Sequence, residues 1–499
     1  MNLKPTEIKI NIIDNNLNGP YIFSVNRELL ADLDTPVSAF YKICSQKPYS
    51  FLLESVEGNE KLGRYSIIGT EPILIFTNKA NKTYLENRIE NNVTELEANP
   101  FTALKNLLQS FQINEDANND FLGFTGYFGY ENIRWIEPKT NFSSHKILPD
   151  VCLIFPGKLV IFDHISHKVN LMSVGLAKSK NDLDTKLPEV KVKLNSLLSD
   201  FKKSISPPQL SLNYKSTLQT TYTSNYKKED YIKMVNKAKG YIKKGDIFQV
   251  VPSQKLIVNG NHSGLMLYRA LRSINPSPYL FYLNFNDFEI AGSSPEVMVK
   301  CEIRDSKRIA SLRPIAGTYP RGKDDKEDCK NIETLKNDPK ERAEHLMLVD
   351  LARNDLGRVC ETGSITVPEL MVIEKYSHVL HMVSLVEGIL KNNKTSIDLL
   401  CASFPAGTLS GAPKVRALEI INEMETDQRG PYGGCTGFFG LNNTINTCMT
   451  IRTFVVHKDF LEIQAGGGIV ADSDPENEYQ ETLRKGAALL KAISLLTLP

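Results

Sequence analysis

The chain has 499 residues, 41% of them hydrophobic, enough for one large core or two moderate ones, which excludes a disordered or fibrous protein. Fifty-nine Lys and Arg nearly balance 58 Asp and Glu, so no excess positive charge is available to hold a nucleic-acid backbone. The eight cysteines are scattered without a CxxC pair or a dense pattern, which argues against a zinc site or a disulfide framework and for reduced thiols.

The N-terminal run MNLKPTEIKINIIDNN is too polar for a secretory signal and too acidic for a transit peptide, and no apolar run reaches membrane-span length. A cytoplasmic location without an anchor is expected. Residues 1–174 mix short apolar runs with turn residues, and Phe51–Leu53, Val151–Phe155 and Leu159–Phe162 read as strands. Residues 175–225 shift to Lys, Asp, Ser, Thr and Pro and read as a linker holding one helix, Pro188 to Leu198. A second unit, 226–499, opens with Ile232, Val235, Ala238 and Ile242 at helical spacing, stopped at Gly245, followed by a strand over Ile247–Val258. Strands and helices come in clusters rather than alternating, which predicts an α+β fold with antiparallel sheet.

In this second unit, Asp324-Asp325-Lys326-Glu327-Asp328 spells DDxxD but lies in a Lys-rich polar stretch and reads as a solvated loop. Glu341 to Arg353 is helix-forming and apolar on nearly every face beyond its first turn, which predicts a buried helix. Glu341 and Glu344 lie one turn apart there, either bridged to Lys340, Arg342 or Arg353 or in need of a cation. Gly407 to Pro413 precedes a helix carrying Ala417, Leu418, Ile421 and Met424. Gly433-Gly434-Cys435-Thr436-Gly437 fits the G-x-C-x-G nucleophile turn of glutamine amidotransferases, but only His457 follows it, without a suitable acid, so Cys435 reads as structural.

Gly466, Gly467 and Gly468 lead towards a helix capped by Asp472-Ser473-Asp474 with Pro475 in its first turn and Leu483, Ala487, Leu490, Ile493 and Leu496 on its inward stripe. Its first turns carry Glu478 and Glu481, a second E-x-x-E pair. Two such pairs without a Cys or His cluster suit a hard cation such as Mg²⁺. Both glycine-rich segments can present bare amides to an anion.

Together these segments resemble the chorismate-binding enzymes over residues 226–490. The resemblance is carried by Gly245–Ser253, Ser294-Pro295-Glu296, Arg313–Thr318 (RPIAGT), Ala343–Arg358, Gly407–Lys414 and Gln464–Ser473. Leu52-Leu53-Glu54-Ser55 and Asn275–Tyr282 are similar to the tryptophan-binding parts of the anthranilate synthase branch. The resemblance implies antiparallel sheets packed as a sandwich with helices outside, an N-terminal regulatory region (1–174) and a catalytic domain (226–499). Two positions favour that branch over its siblings. Ala316 replaces the lysine that aminodeoxychorismate synthases typically use as a nucleophile, and Gln249 replaces the lysine that activates water in isochorismate and salicylate synthases.

The implied reaction is chorismate plus ammonia to anthranilate plus pyruvate, the first committed step of tryptophan synthesis, under tryptophan feedback. The resemblance assigns Mg²⁺ to Glu344 and Glu481, with Glu341 and Glu478 completing the shell through water. It makes Glu296 the general acid and links His381 to the final elimination; His378 and His381 also read as core histidines. Tyr432 and Arg452 match residues that hold the pyruvyl carboxylate, while Gly317, Thr318 and the amides of Gly466 to Gly468 hold the remaining oxygens. Ser55, Pro278, Tyr279 and Leu280 match the inhibitor site. Ammonia is implied to come from a separate glutamine amidotransferase subunit, in an assembly of two large and two small subunits. The alternatives are an aminodeoxychorismate synthase component, or a non-catalytic subunit that binds chorismate or tryptophan.

Overall fold

In the computed structural model, residues 9–12, 20–44, 47–55, 63–111, 120–205, 208, 210, 220–376 and 379–496 are described. Strands buried on both faces organise them, successive residues entering different clusters. In the strand Val151–Asp163, Leu159 and Ile161 enter one hydrophobic cluster while Val160 and Phe162 enter another, as the two-residue period requires. The first cluster is built largely from strand residues. The second lies under the helices Pro36–Cys44, Lys180–Phe201, Gly264–Ile274 and Pro475–Leu496. The strand pairings are antiparallel, giving the expected α+β architecture with helices laid on large antiparallel sheet. Among the described residues no helix is long and apolar enough to cross a membrane.

Strands from the two halves of the chain pair directly. Ser50–Glu54 lies against Tyr279–Asn284, and Gly123–Phe128 against Cys435–Gly440. The strand Lys168–Ala177 runs past residue 174. The helix expected over Pro188–Leu198 extends to Lys180–Phe201, and it buries Leu183, Val190, Leu194 and Leu197 against the sheet.

Five local expectations are corrected. The two strands at Val151–Phe155 and Leu159–Phe162 are one, because Pro156 faces Pro72 at a bulge where neither proline owes the ladder an N–H. The strand expected over Ile247–Val258 breaks before Pro252, leaving Gln249–Val250 to pair with Gly411–Ala412 and Ser253–Asn259 with Phe460–Gly466. The DDxxD segment is not a loop. Asp324 caps the helix Asp325–Asn337 by accepting from the Glu327 amide, and buried Asp328 is paired with Arg321.

The helix Pro339–Gly357 buries one face only: His345, Leu348, Val349, Ala352 and Leu356 point inward, while Leu346 is 45% exposed. Its hydrophobic composition overstated its burial because it packs chiefly on sheet along a single side. In the helix Pro475–Leu496 the deepest stripe runs through Thr482, Gly486, Leu489 and Ile493, with Ala487 exposed. Contacts with the helices Gly264–Ile274 and Lys228–Lys243 and the strand Phe460–Gly466 rotate the buried arc away from the leucine-rich one.

Candidate active site

The break at Pro252 sets one wall of a cavity of about 630 Å³. Gln249 enters it from the short strand beside Gly411, and its Nε2 donates to Glu344 Oε1 at 3.4 Å. Glu341 and Glu344 project from the first turns of Pro339–Gly357, whose start is fixed by the Asp338 cap. Glu478 and Glu481 project from the first turns of Pro475–Leu496, where the Asn477 amide donates to Asp474. Residues more than 130 positions apart thus bring both acidic pairs to one space.

Their electrostatics show a shortage of positive charge. Burial and then the charge of Glu344 raise the pKa of Glu341; burial and then Glu481 raise that of Glu478, although Ser473 hydrogen-bonds it. Burial also pushes Glu481 up, but Lys485 at 2.9 Å outweighs it and the net direction is down. Among the described residues, Glu341 and Glu344 make no ion pair within 4.0 Å: Arg353 turns to Asp350, and Arg342 donates to the Lys336 carbonyl. Among the described residues, too, no three His, Cys, Asp or Glu converge into a preformed metal cage. Paired, undercompensated carboxylates facing an open cavity still fit Mg²⁺, which is commonly bound through one or two carboxylates while its waters and substrate oxygens complete the octahedron.

Glu296 lines the same cavity. Desolvation pushes its carboxyl up to about 8, even though Thr408 Oγ1 donates to it at 3.4 Å and Lys485 lies near. Its backbone carbonyl accepts from the Met449 amide, and Arg452 follows three residues on, at φ 52°. One Arg452 guanidinium nitrogen donates to the Lys485 carbonyl. Tyr432, buried, accepts from the Gly466 amide, and desolvation raises its hydroxyl to about 12.

His381 comes from the strand Val379–Ile389, paired with Ile315–Pro320. Its Nδ1 lies 3.3 Å from the Gly317 carbonyl, which can only accept, so Nδ1 carries the proton and Nε2 the lone pair of the neutral ring. Desolvation lowers its pKa, favouring that neutral ring, and Tyr376 packs edge-on at 5.4 Å. His378 lies outside the described residues.

Gly317 lines the cavity at φ 66°, where a Cβ would stand 2.9 Å from Leu335 and 3.1 Å from Glu341. Thr318 is placed by its backbone, in register with His381. Gly466 and Gly468 line the cavity. The Gly467 amide donates instead to the Pro252 carbonyl, and a Cβ there would stand 3.0 Å from Glu478. In the Gly407 loop the amides of Leu409 and Ser410 turn inward to Ala406 and Gly407. Cys435 is buried in a strand, with desolvation raising its thiol pKa, as a structural thiol requires.

Lys485 escapes the sequence reading, although its i, i+4 spacing from Glu481 is the helical ion-pair signal. Thr408 was legible only as part of a glycine-rich loop.

A separate cavity of about 430 Å³ gathers Ser55, Pro278, Tyr279 and Leu280. Strand pairing of Leu280 with Glu54 brings them together, and Glu54 is held by Arg272 Nε and Nη2 and by Tyr268. The buried Ser55 Oγ has no hydrogen-bond partner among the described residues. Tyr279 stands across from Ser294, two residues before Glu296.

The sequence pattern described as chorismate binding enzyme matches residues 49–491. Anthranilate synthase component 1 of Synechocystis sp. is 46% identical over 95% of this chain and 96% of its own length. The protein of the same name from Acetivibrio thermocellus is 43% identical over 98% of each. The crystal structure of anthranilate synthase component I from Streptococcus pneumoniae superposes with a TM-score of 0.74 at 29% identity, covering 93% of this chain and 99% of that one. With its two glutamate pairs facing one cavity and relatives matched nearly end to end, this chain belongs to the chorismate-binding enzymes.

Proposed function

We propose that this chain is the large subunit of an anthranilate synthase, an Mg²⁺-dependent lyase converting chorismate and ammonia to anthranilate, pyruvate and water. The observation that carries it is the company Glu296 keeps. A carboxyl held protonated near neutral pH shares a cavity with Gln249 and Ala316, and neither of those two side chains can act as a water-activating base or a nucleophilic amine.

Glu344 and Glu481 would hold the magnesium, with Glu341 and Glu478 acting through water. When bound, the ion supplies positive charge to the ring carboxylate as electron density shifts into it. Glu296 gives its proton to the departing C4 hydroxyl as ammonia adds at C2. Arg452 and Tyr432 hold the pyruvyl carboxylate, with the Gly466 amide fixing the Tyr432 hydroxyl, and the backbone at Gly317, Thr318 and Gly468 orients the remaining oxygens. His381 Nε2 then accepts the C2 proton as the C3–O bond breaks; the side chain leaves as enolpyruvate, which takes a proton from water at its methylene to become pyruvate, and the ring becomes aromatic.

The identity of the full-length relatives supports a separate glutaminase partner as the ammonia source. We assign residues 1–174 to regulation and 226–499 to catalysis. Tryptophan is the proposed occupant of the second cavity, with Ser55 Oγ as a polar anchor; the strand contact from Tyr279 to Ser294 links it to Glu296. The test is chorismate with ammonium and Mg²⁺, with and without tryptophan. Fluorescent anthranilate, suppressed by tryptophan, is expected; accumulation of an aminodeoxychorismate refutes the reading.

A further inference from the structure

Three segments of the active-site wall converge on one buried cation that the reaction itself does not use. Arg429 is 2% exposed. Its Nε and Nη2 fork onto Glu425 at 2.8 and 2.6 Å, Nη1 donates to the Leu409 carbonyl at 2.8 Å, and Nη2 donates to the Val251 carbonyl at 2.7 Å. Its plane lies 4.3 Å from the Tyr130 ring and 5.6 Å from that of Tyr432. Glu425 Oε1 also accepts from the Ser253 amide and hydroxyl, so the carboxylate ties down the segment that continues from Gln249. From the N-terminal half, the buried Glu131 carboxylate accepts the amides of Arg429 and Gly430 at 2.6 and 3.0 Å. Val251, Leu409 and Tyr432 all line the cavity.

We infer that Arg429, braced by Glu425 and Glu131, is a positioning residue for chorismate: it fixes Tyr432 and the Val251 and Leu409 walls where the substrate's enolpyruvyl end binds. Only a guanidinium can perform these tasks together. An ammonium has no planar fork for Glu425, no second edge for two carbonyls from separate loops, and no flat face to lie between two tyrosine rings. A buried ion pair is weak ground for stability as such, but a fully satisfied one holds its neighbours in one arrangement. The inference rests on the chorismate reading above.

The test uses the full chain with ammonium and Mg²⁺. Arg429→Lys is expected to raise the chorismate KM on the order of tenfold, the equivalent of one charge-assisted hydrogen bond, with a smaller change in kcat. Tryptophan binding to the second cavity, which Arg429 does not line, should stay intact, reporting a folded chain. In a Tyr432→Phe background the same substitution should cost clearly less, because both changes act on one arrangement. Should Arg429→Lys fail to fold, Glu425→Gln is read by the same criteria. An unchanged KM, or costs that simply add, overturns the positioning role. Failure of the wild type to convert chorismate overturns the underlying reading instead.

Discussion

Replacing Glu296 by Gln tests the acid role through stability as well as rate. The wild-type carboxyl is held at about 8 in the folded chain against an ordinary 4.5, chiefly by desolvation. Below pH 4.5 both states of the wild type are protonated, and the two proteins differ by a constant. Between pH 4.5 and 8 the unfolded chain releases this proton while the folded chain keeps it, so the wild type loses stability relative to Glu296→Gln by up to about 1.4 kcal/mol per pH unit. Across that interval the ceiling is about 5 kcal/mol, reduced in practice because the side chain faces a cavity open to water. Above pH 8 the gap is constant again.

The assay is the Tm of both proteins from pH 5 to 9, without ligands, paired with turnover. The Tm difference should widen in favour of the variant up to pH 8, while turnover falls by about 10²–10⁴, the usual worth of a general acid. Wild-type turnover should decline as pH rises through the pKa, since the protonated form is the active one. Parallel Tm profiles, or a variant that keeps full activity, refute the reasoning.

Other outcomes follow from single contacts. Ser55→Phe replaces a hydroxyl that has no partner among the described residues with a ring that fills the second cavity, and should abolish tryptophan inhibition with normal uninhibited turnover; unchanged inhibition removes Ser55 from the inhibitor site. Gly317→Ala should cost about 1–2 kcal/mol from its left-handed backbone alone. Because the new methyl meets Leu335 and Glu341, kcat/KM should fall as well, and a variant matching wild type in both Tm and kcat/KM contradicts the strain argument. Cys435→Ala should leave ammonia-dependent turnover within about twofold, as expected of a thiol with no catalytic part; a large loss would restore its candidacy as a nucleophile.

Local chemistry, being written in neighbouring residues, was readable early. The i, i+3 glutamates, the Asp474–Pro475 helix start and the apolar face of Lys414–Met424 all depend on spacings within one or two turns, and the helices formed where they indicated. Ala316 and Gln249 narrowed the chemistry for the same reason, each by the side chain it lacks. What spacing could not supply was the neighbour on the other side. Which face of Pro339–Gly357 meets the sheet, and how far the buried arc of Pro475–Leu496 rotates, depend on elements distant in the chain. The DDxxD segment became a helix start because Arg321 and the Asp324 cap paid for burying Asp328, a compensation invisible in a lysine-rich run.

By itself the sequence determined the carboxylate pairs, the helices that carry them and the family resemblance, because these are properties of short stretches. Tertiary structure alone decided that Glu341 and Glu344 line one cavity with Glu478 and Glu481, that Ser55 and Pro278 share another, and that Arg429 joins three walls. The physical reason is that antiparallel pairing between the chain's two halves, driven by burial of their common core, sets those distances. No local pattern encodes them.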